Sequence, residues 1–144
     1  MAEVDYNIDA TEQQEILDIL TRYWTKQTGS EEKAQMVLQK LAGLLGQQGA
    51  NLIHIGNTVF LMLITGPGEV EIHTMTTDED SVTLAKAFVE LSKTLKGLGV
   101  KRAYTYADDP KFEIIAKRTR LPINKETKKT RDGKTTTVYT LEIK

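Results

Sequence analysis

The hydrophobic pattern of this chain changes period along its length, and the order of those changes restricts the fold more than any single residue does. Ile16, Leu17, Ile19, Leu20, Tyr23 and Trp24 recur at helical spacing, and so do Ala34, Val37, Leu38, Leu41, Leu44 and Leu45. From residue 51 the pattern shortens to that of strands. Residues 51–55 and 58–65 read as strands joined by the tight turn Gly56-Asn57, and 69–76 as a third strand after Gly66-Pro67-Gly68. Together they are expected to form an antiparallel meander. Helical spacing returns in Val82, Ala85, Phe88, Val89, Leu91, Leu95 and Leu98, and residues 100–106 read as another strand. A short helix opens at Pro110, draws apolar contacts from Ile114, Ile115 and Ala116, and stops before Pro122. Strands at 125–130 and 135–143 follow, with Asp132-Gly133 as the hairpin turn.

Local signals mark the ends of these elements. Val4–Ile8 alternates and reads as a short first strand. Thr11 with Gln14 makes a capping-box pattern for the first helix. Gly29-Ser30 breaks that helix and caps the next, whose first turn holds Glu31 and Glu32, and Gly46 stops it. Asp80 or Ser81 caps the long helix. No repeat, linker or low-complexity segment interrupts the chain, so residues 1–144 read as one α/β domain with a mixed sheet.

Composition removes several classes of function. With 144 residues the chain can bury a core without staples. It has no cysteine and two histidines, which excludes a disulfide framework, a thiol nucleophile and a histidine-rich metal site. The longest apolar run, residues 59–64, is strand-sized, so no membrane span is expected. The acidic start does not read as a signal peptide, and a cytoplasmic location is expected. The net charge of −1 conceals an asymmetry: residues 1–100 carry 7 Lys and Arg against 14 Asp and Glu, and residues 101–144 carry 12 against 6. Lys117, Arg118, Arg120, Lys128, Lys129 and Arg131 are therefore candidates for a surface that meets phosphates or an acidic partner. No aromatic residue interleaves the basic segment 128–134, which argues against a nucleic-acid platform.

In order, the elements run β-α-α-β-β-β-α-β-α-β-β. This order resembles the GNAT fold of the Gcn5-related N-acetyltransferases over essentially the whole chain. Residues 69–121 carry most of the resemblance. They offer a strand, a long helix ending in Leu-Gly-Val, a strand Lys-Arg-Ala-Tyr-Thr-Tyr, then Asp-Asp-Pro and a short basic helix. This looks like the acetyl-CoA half of the family. The strand Glu-Val-Glu-Ile-His-Thr and the turn Tyr-Ala-Asp-Asp-Pro are also similar to segments of small GNAT-like proteins encoded by tailed bacteriophages.

The resemblance implies a pyrophosphate loop at the start of the long helix, where the matching positions are Glu79-Asp80-Ser81-Val82-Thr83-Leu84. Val82 and Leu84 stand where the family has small residues, and Glu79 where it has a basic or amide one. Asp78, Glu79 and Asp80 put three carboxylates where phosphates would sit. The family's tyrosine acid falls on Ala116, its lysine on Arg118, and its asparagine at the helix start on Asp109. On the strand at 69–76, Glu71 and His73 share a face and are the candidate proton-shuttling pair. His54 is read as structural, and Tyr104 and Tyr106 as core or rim tyrosines. The expectation is a non-catalytic GNAT-like protein without a cofactor, acting through protein contacts as a phage virion or assembly component. It would be found in the virion or the host cytoplasm. Its partner would be another protein, or a second copy paired along Thr135–Ile143. The alternative is a divergent N-acetyltransferase that holds acetyl-CoA along Ser81, Val82, Thr83 and Leu84 and uses Glu71 and His73.

Overall fold

The computed structural model describes residues 10–47, 49–78 and 80–144. The expected strand Val4–Ile8 and the position of Glu79 lie outside the described residues. The elements are α1 (Ala10–Thr28), α2 (Glu31–Leu45), β1 (Ala50–Ile55), β2 (Thr58–Gly66), β3 (Glu69–Thr76), α3 (Ser81–Gly97), β4 (Arg102–Tyr106), α4 (Pro110–Thr119), β5 (Ile123–Lys129) and β6 (Thr135–Glu142). The described strands form one six-stranded sheet in the order β1-β2-β3-β4-β6-β5. Every neighbouring pair is antiparallel except β3 and β4, which run parallel on either side of the α3 crossover.

Side-chain alternation divides the sheet between two helical layers. Phe60, Met62, Val70, Ile72 and Ala103 pack against Ala87, Leu91 and Leu95 of α3. Val59, Leu61 and Met75 face the other way, toward Ile19, Leu20 and Leu41 of α1 and α2. Trp24 Nε1 donates to the Met75 sulfur at 3.3 Å, tying α1 to β3. The caps are local. Ser30 Oγ accepts from Lys33 N, and Asp109 Oδ1 accepts from Lys111 N ahead of Pro110. Among the described residues no helix is long and apolar enough to cross a membrane.

Several sequence expectations need correction. α1 is already helical at Ala10, so Thr11 lies inside it rather than capping it. Val82 and Leu98, expected in the apolar stripe of α3, are exposed. The buried stripe is Leu84, Ala85, Ala87, Leu91 and Leu95, because the two expected residues sit at the helix ends, off the face that meets the sheet and α4. Ile114 is exposed as well, since Ile115, Ala116 and Thr119 form the inner face of α4. Strand β6 is not an edge. Residues 138–141 pair with β4 on one side and β5 on the other, so over that stretch the expected pairing of a second copy along Thr135–Ile143 has no open ladder to join.

Candidate active site

The site begins where two strands part. β3 and β4 pair for three residues only: Glu69 with Arg102, Val70 with Ala103, and Glu71 with Tyr104. Beyond that point each strand follows its outer neighbour. β3 stays with β2 out to Thr76 opposite Thr58. β4 stays with β6, and Ala107 N–H donates to the Thr137 carbonyl at 3.0 Å. The Asp108 carboxylate fixes this divergence by accepting from the Thr136 hydroxyl and the Thr137 N–H. The β4-facing backbone groups of residues 72–75 therefore have no strand partner. The gap opens into a cleft of about 990 Å³ lined from both layers, by His73 and Met75 with α1 and α2, and by Thr74, Thr105, Leu84, Phe88 and Phe112.

Three polar groups mark this cleft. His73 Nε2 lies 2.8 Å from Glu71 Oε2, and the histidine is half-exposed at the cleft wall. The expected pair thus forms, on the face that carries Met75. Parallel register places Tyr104 and Tyr106 on the same face, their rings 5.9 Å apart in an edge arrangement, with Tyr106 at the cleft. Thr74 Oγ1 is buried without a hydrogen-bond partner among the described residues, although it lines the cleft. A buried orphan hydroxyl is costly and calls for a ligand or water. His54 lies outside the cleft, with Nε2 2.7 Å from the Gly56 carbonyl of its own hairpin.

At the start of α3 the helix caps itself. Asp80 Oδ1 accepts from Val82 N at 3.1 Å and Oδ2 from the Thr83 hydroxyl at 2.9 Å. These hydrogen bonds, with the charge of Arg118 nearby, hold the Asp80 carboxyl below its ordinary pKa. Leu84 is buried with Ala85, Ile115 and Phe88, so a core side chain occupies one of the two small-residue positions. Val82 holds the other and is exposed. Ala116 is buried in α4 and brings no acidic group.

The six basic candidates do not converge. Lys117 and Arg118 lie on α4, and Arg120 follows it in the left-handed region with φ 59°. Lys128 and Lys129 are at the far end of β5, about 15–20 Å beyond Ile123 at ordinary strand rise, and point to opposite faces. Arg131 is in the hairpin turn. Sequence reading missed Arg22, Lys26 and Lys40, which line the cleft from α1 and α2. The four-residue spacing of Arg22 and Lys26 was the one available signal.

No protein-family model matches the sequence, and no curated protein matches it. Solved structures do match in fold. A protein assigned to the GNAT acetyltransferase family from Desulfovibrio desulfuricans superposes with a TM-score of 0.61 at 14% identity, covering 92% of this chain and 94% of that one. Gcn5 of Tetrahymena gives 0.58 at 13% identity over 96% and 92%. An aminoglycoside acetyltransferase crystallised with ribostamycin and coenzyme A gives 0.60 at 14% identity over 99% and 90%. The chain therefore has the GNAT acetyltransferase fold, as its order of elements implied. Nothing in these comparisons bears on the phage resemblance.

Proposed function

We propose that this chain is a divergent N-acyltransferase, carrying an acyl group from a thioester donor to an amine at the β3–β4 cleft. The observation that carries this reading is the parted strand pair: a cleft open to both layers, with the Glu71–His73 pair on its wall and the unpartnered Thr74 hydroxyl inside it. The unpaired edge of β3 suits an extended amide-bearing arm, which would add backbone hydrogen bonds as an extra strand does. The phosphate end fits less well. The first N–H groups of α3 meet Asp80, and the Leu84 side chain fills the place of a small residue. Acetyl-CoA would thus be held by its arm along residues 72–75, with little help from Ser81, Val82, Thr83 and Leu84.

When bound, the donor supplies an activated carbonyl. The remaining work falls to the chain's own side chains. His73 Nε2–H donates to Glu71, which leaves Nδ1 as the proton acceptor for the incoming amine. As the carbon–nitrogen bond forms and the carbon–sulfur bond breaks, Nδ1 takes the amine proton. The Tyr106 hydroxyl gives one to the leaving sulfur, in place of the residue missing at Ala116. His73→Gln and Glu71→Gln should each lower turnover by about 10²–10⁴-fold while donor binding is kept.

The contact-protein reading draws on the acidic self-capped start of α3 and on Ala116 standing where the tyrosine acid is implied. It expects acetyl-CoA to leave the melting temperature unchanged. Transfer expects a rise, since ligand at a hundred times its Kd adds about 2.7 kcal/mol. No shift at millimolar acetyl-CoA would reject the transfer reading.

A further inference from the structure

The charged residues that line the cleft are grouped by element. Asp78, Asp108 and Asp109 sit in the loops leading into α3 and α4, with Lys111 beside them in the first turn of α4. All three carboxylates are engaged locally, Asp78 by the Asn57 side-chain amide at 3.4 Å, Asp108 by β6 and Asp109 as the α4 cap. Among the described residues the lining charges on the α1–α2 side are all positive: Arg22 and Lys26, one turn apart on α1, and Lys40 from α2. Residues 1–100 hold only 7 lysines and arginines against 14 acids, so three cations at one mouth run against the composition around them. Asp18 is 3.8 Å from Arg22, but both side chains are largely exposed, and such a pair is weak enough for the guanidinium to reorient. His73, paired with Glu71, lines the same cleft.

We infer that the molecule entering from the α1–α2 side is an amine that also carries a carboxylate. This rests on the transfer reading for which end reacts. The amine goes toward His73 and Glu71, and the carboxylate toward the Arg22, Lys26 and Lys40 rim. Long basic side chains suit this task, because their stems lie along the helices while their heads reach a carboxylate. Two sources offer this chemistry, a free acidic amino acid and the free N-terminus of an acidic peptide. A neutral amine meets none of the rim charge, and a polycationic one is repelled by it.

Trp24, the only tryptophan, lines the same mouth, so its fluorescence reports occupancy without any donor present. The probes are glutamate, a pentapeptide beginning Glu-Glu with a free N-terminus, its N-acetylated form, and a neutral pentapeptide. The free acidic peptide is expected to bind at least tenfold more tightly than the neutral one at low salt. That advantage should shrink as salt rises toward 0.5 M. It should also be lost in the triple variant Arg22→Ala, Lys26→Ala, Lys40→Ala, with the N-acetylated peptide weaker than the free one. Comparable glutamate binding would identify the small-molecule source, and binding of the peptide alone the chain terminus. Equal affinity for acidic and neutral peptides, salt-independent binding, or no binding of any probe would overturn the inference. Should the triple variant fail to fold, the salt dependence of the unaltered protein decides. Because no donor is used, selective acidic binding with no transfer would reject the transfer reading alone.

Discussion

Leu84 shows how one side chain can serve packing where the resemblance implies phosphate binding. It closes the contact between α3 and α4 with Ala85 and Ile115, so restoring the small residue should weaken the fold. Leu84→Gly is expected to lose about 3–5 kcal/mol in denaturant unfolding, from the vacated core and the added helix-backbone freedom. It should not by itself create tight acetyl-CoA binding, because Asp80 still caps the helix. Asp80 itself sets part of the acid limb of stability. Its carboxyl is held low by the Val82 N–H and Thr83 hydroxyl, Glu113 by Lys125, and Glu142 by Arg102. Each such group binds its proton more readily unfolded than folded. Its contribution is therefore present above the ordinary carboxylate pKa and lost as pH falls through the lower folded value. A series of melting temperatures from pH 6 to 3 should decline toward the acid end, and Asp80→Asn, which can still cap, should flatten that decline.

At the scale of elements, the C-terminal hairpin carries the sharpest test. β6 is paired on both sides, whereas β5 ends the sheet with Asn124, Lys125, Glu126, Lys128 and Lys129 along it. Charged side chains on an edge strand discourage further pairing. Hydrogen exchange should find the β6 amides slow throughout, and only the β6-facing half of the β5 amides protected. Exchange of β6 as fast as the outer amides of β5 would contradict this strand order. What could be read from the sequence divides along the same line. Ser30, Pro110 and Asp132-Gly133 act within a few residues, so the ends they mark were legible. Glu71 and His73 were legible because alternation alone puts them on one face. The α3 frame misled because Val82 and Leu98 continue the apolar pattern past the packed surface. The order β4-β6-β5, and the early parting of β3 from β4, depend on partners far along the chain, so the cleft and its cationic rim had no local signature.

For the molecule as a whole, the folded chain partly undoes the charge asymmetry of the sequence. Cations of the acidic first hundred residues gather at the cleft, while the basic last third is spread over α4, both faces of β5 and the hairpin turn. Any donor with phosphates that reaches the start of α3 meets Asp78 and Asp80. A like-charge pair near water is worth about 1 kcal/mol at 4 Å. Asp80→Asn should accordingly strengthen acetyl-CoA binding by about fivefold in calorimetry, and the unaltered protein should bind it better in moderate salt than in low salt. Weakening of binding with added salt would mean that cations such as Arg118 dominate that end instead.

The three residue pairs that join β3 to β4 have a mechanical meaning. They divide the sheet into two panels, β1-β2-β3 and β4-β6-β5, hinged on a short seam and bridged by α3. Pulled apart, such a sheet tears first along that seam. An extended ligand lying between the panels would act as a lace, supplying the missing rungs on both sides at once. Its effect would appear less as added strength within either panel than as a change from two panels that let go separately to one sheet that fails together.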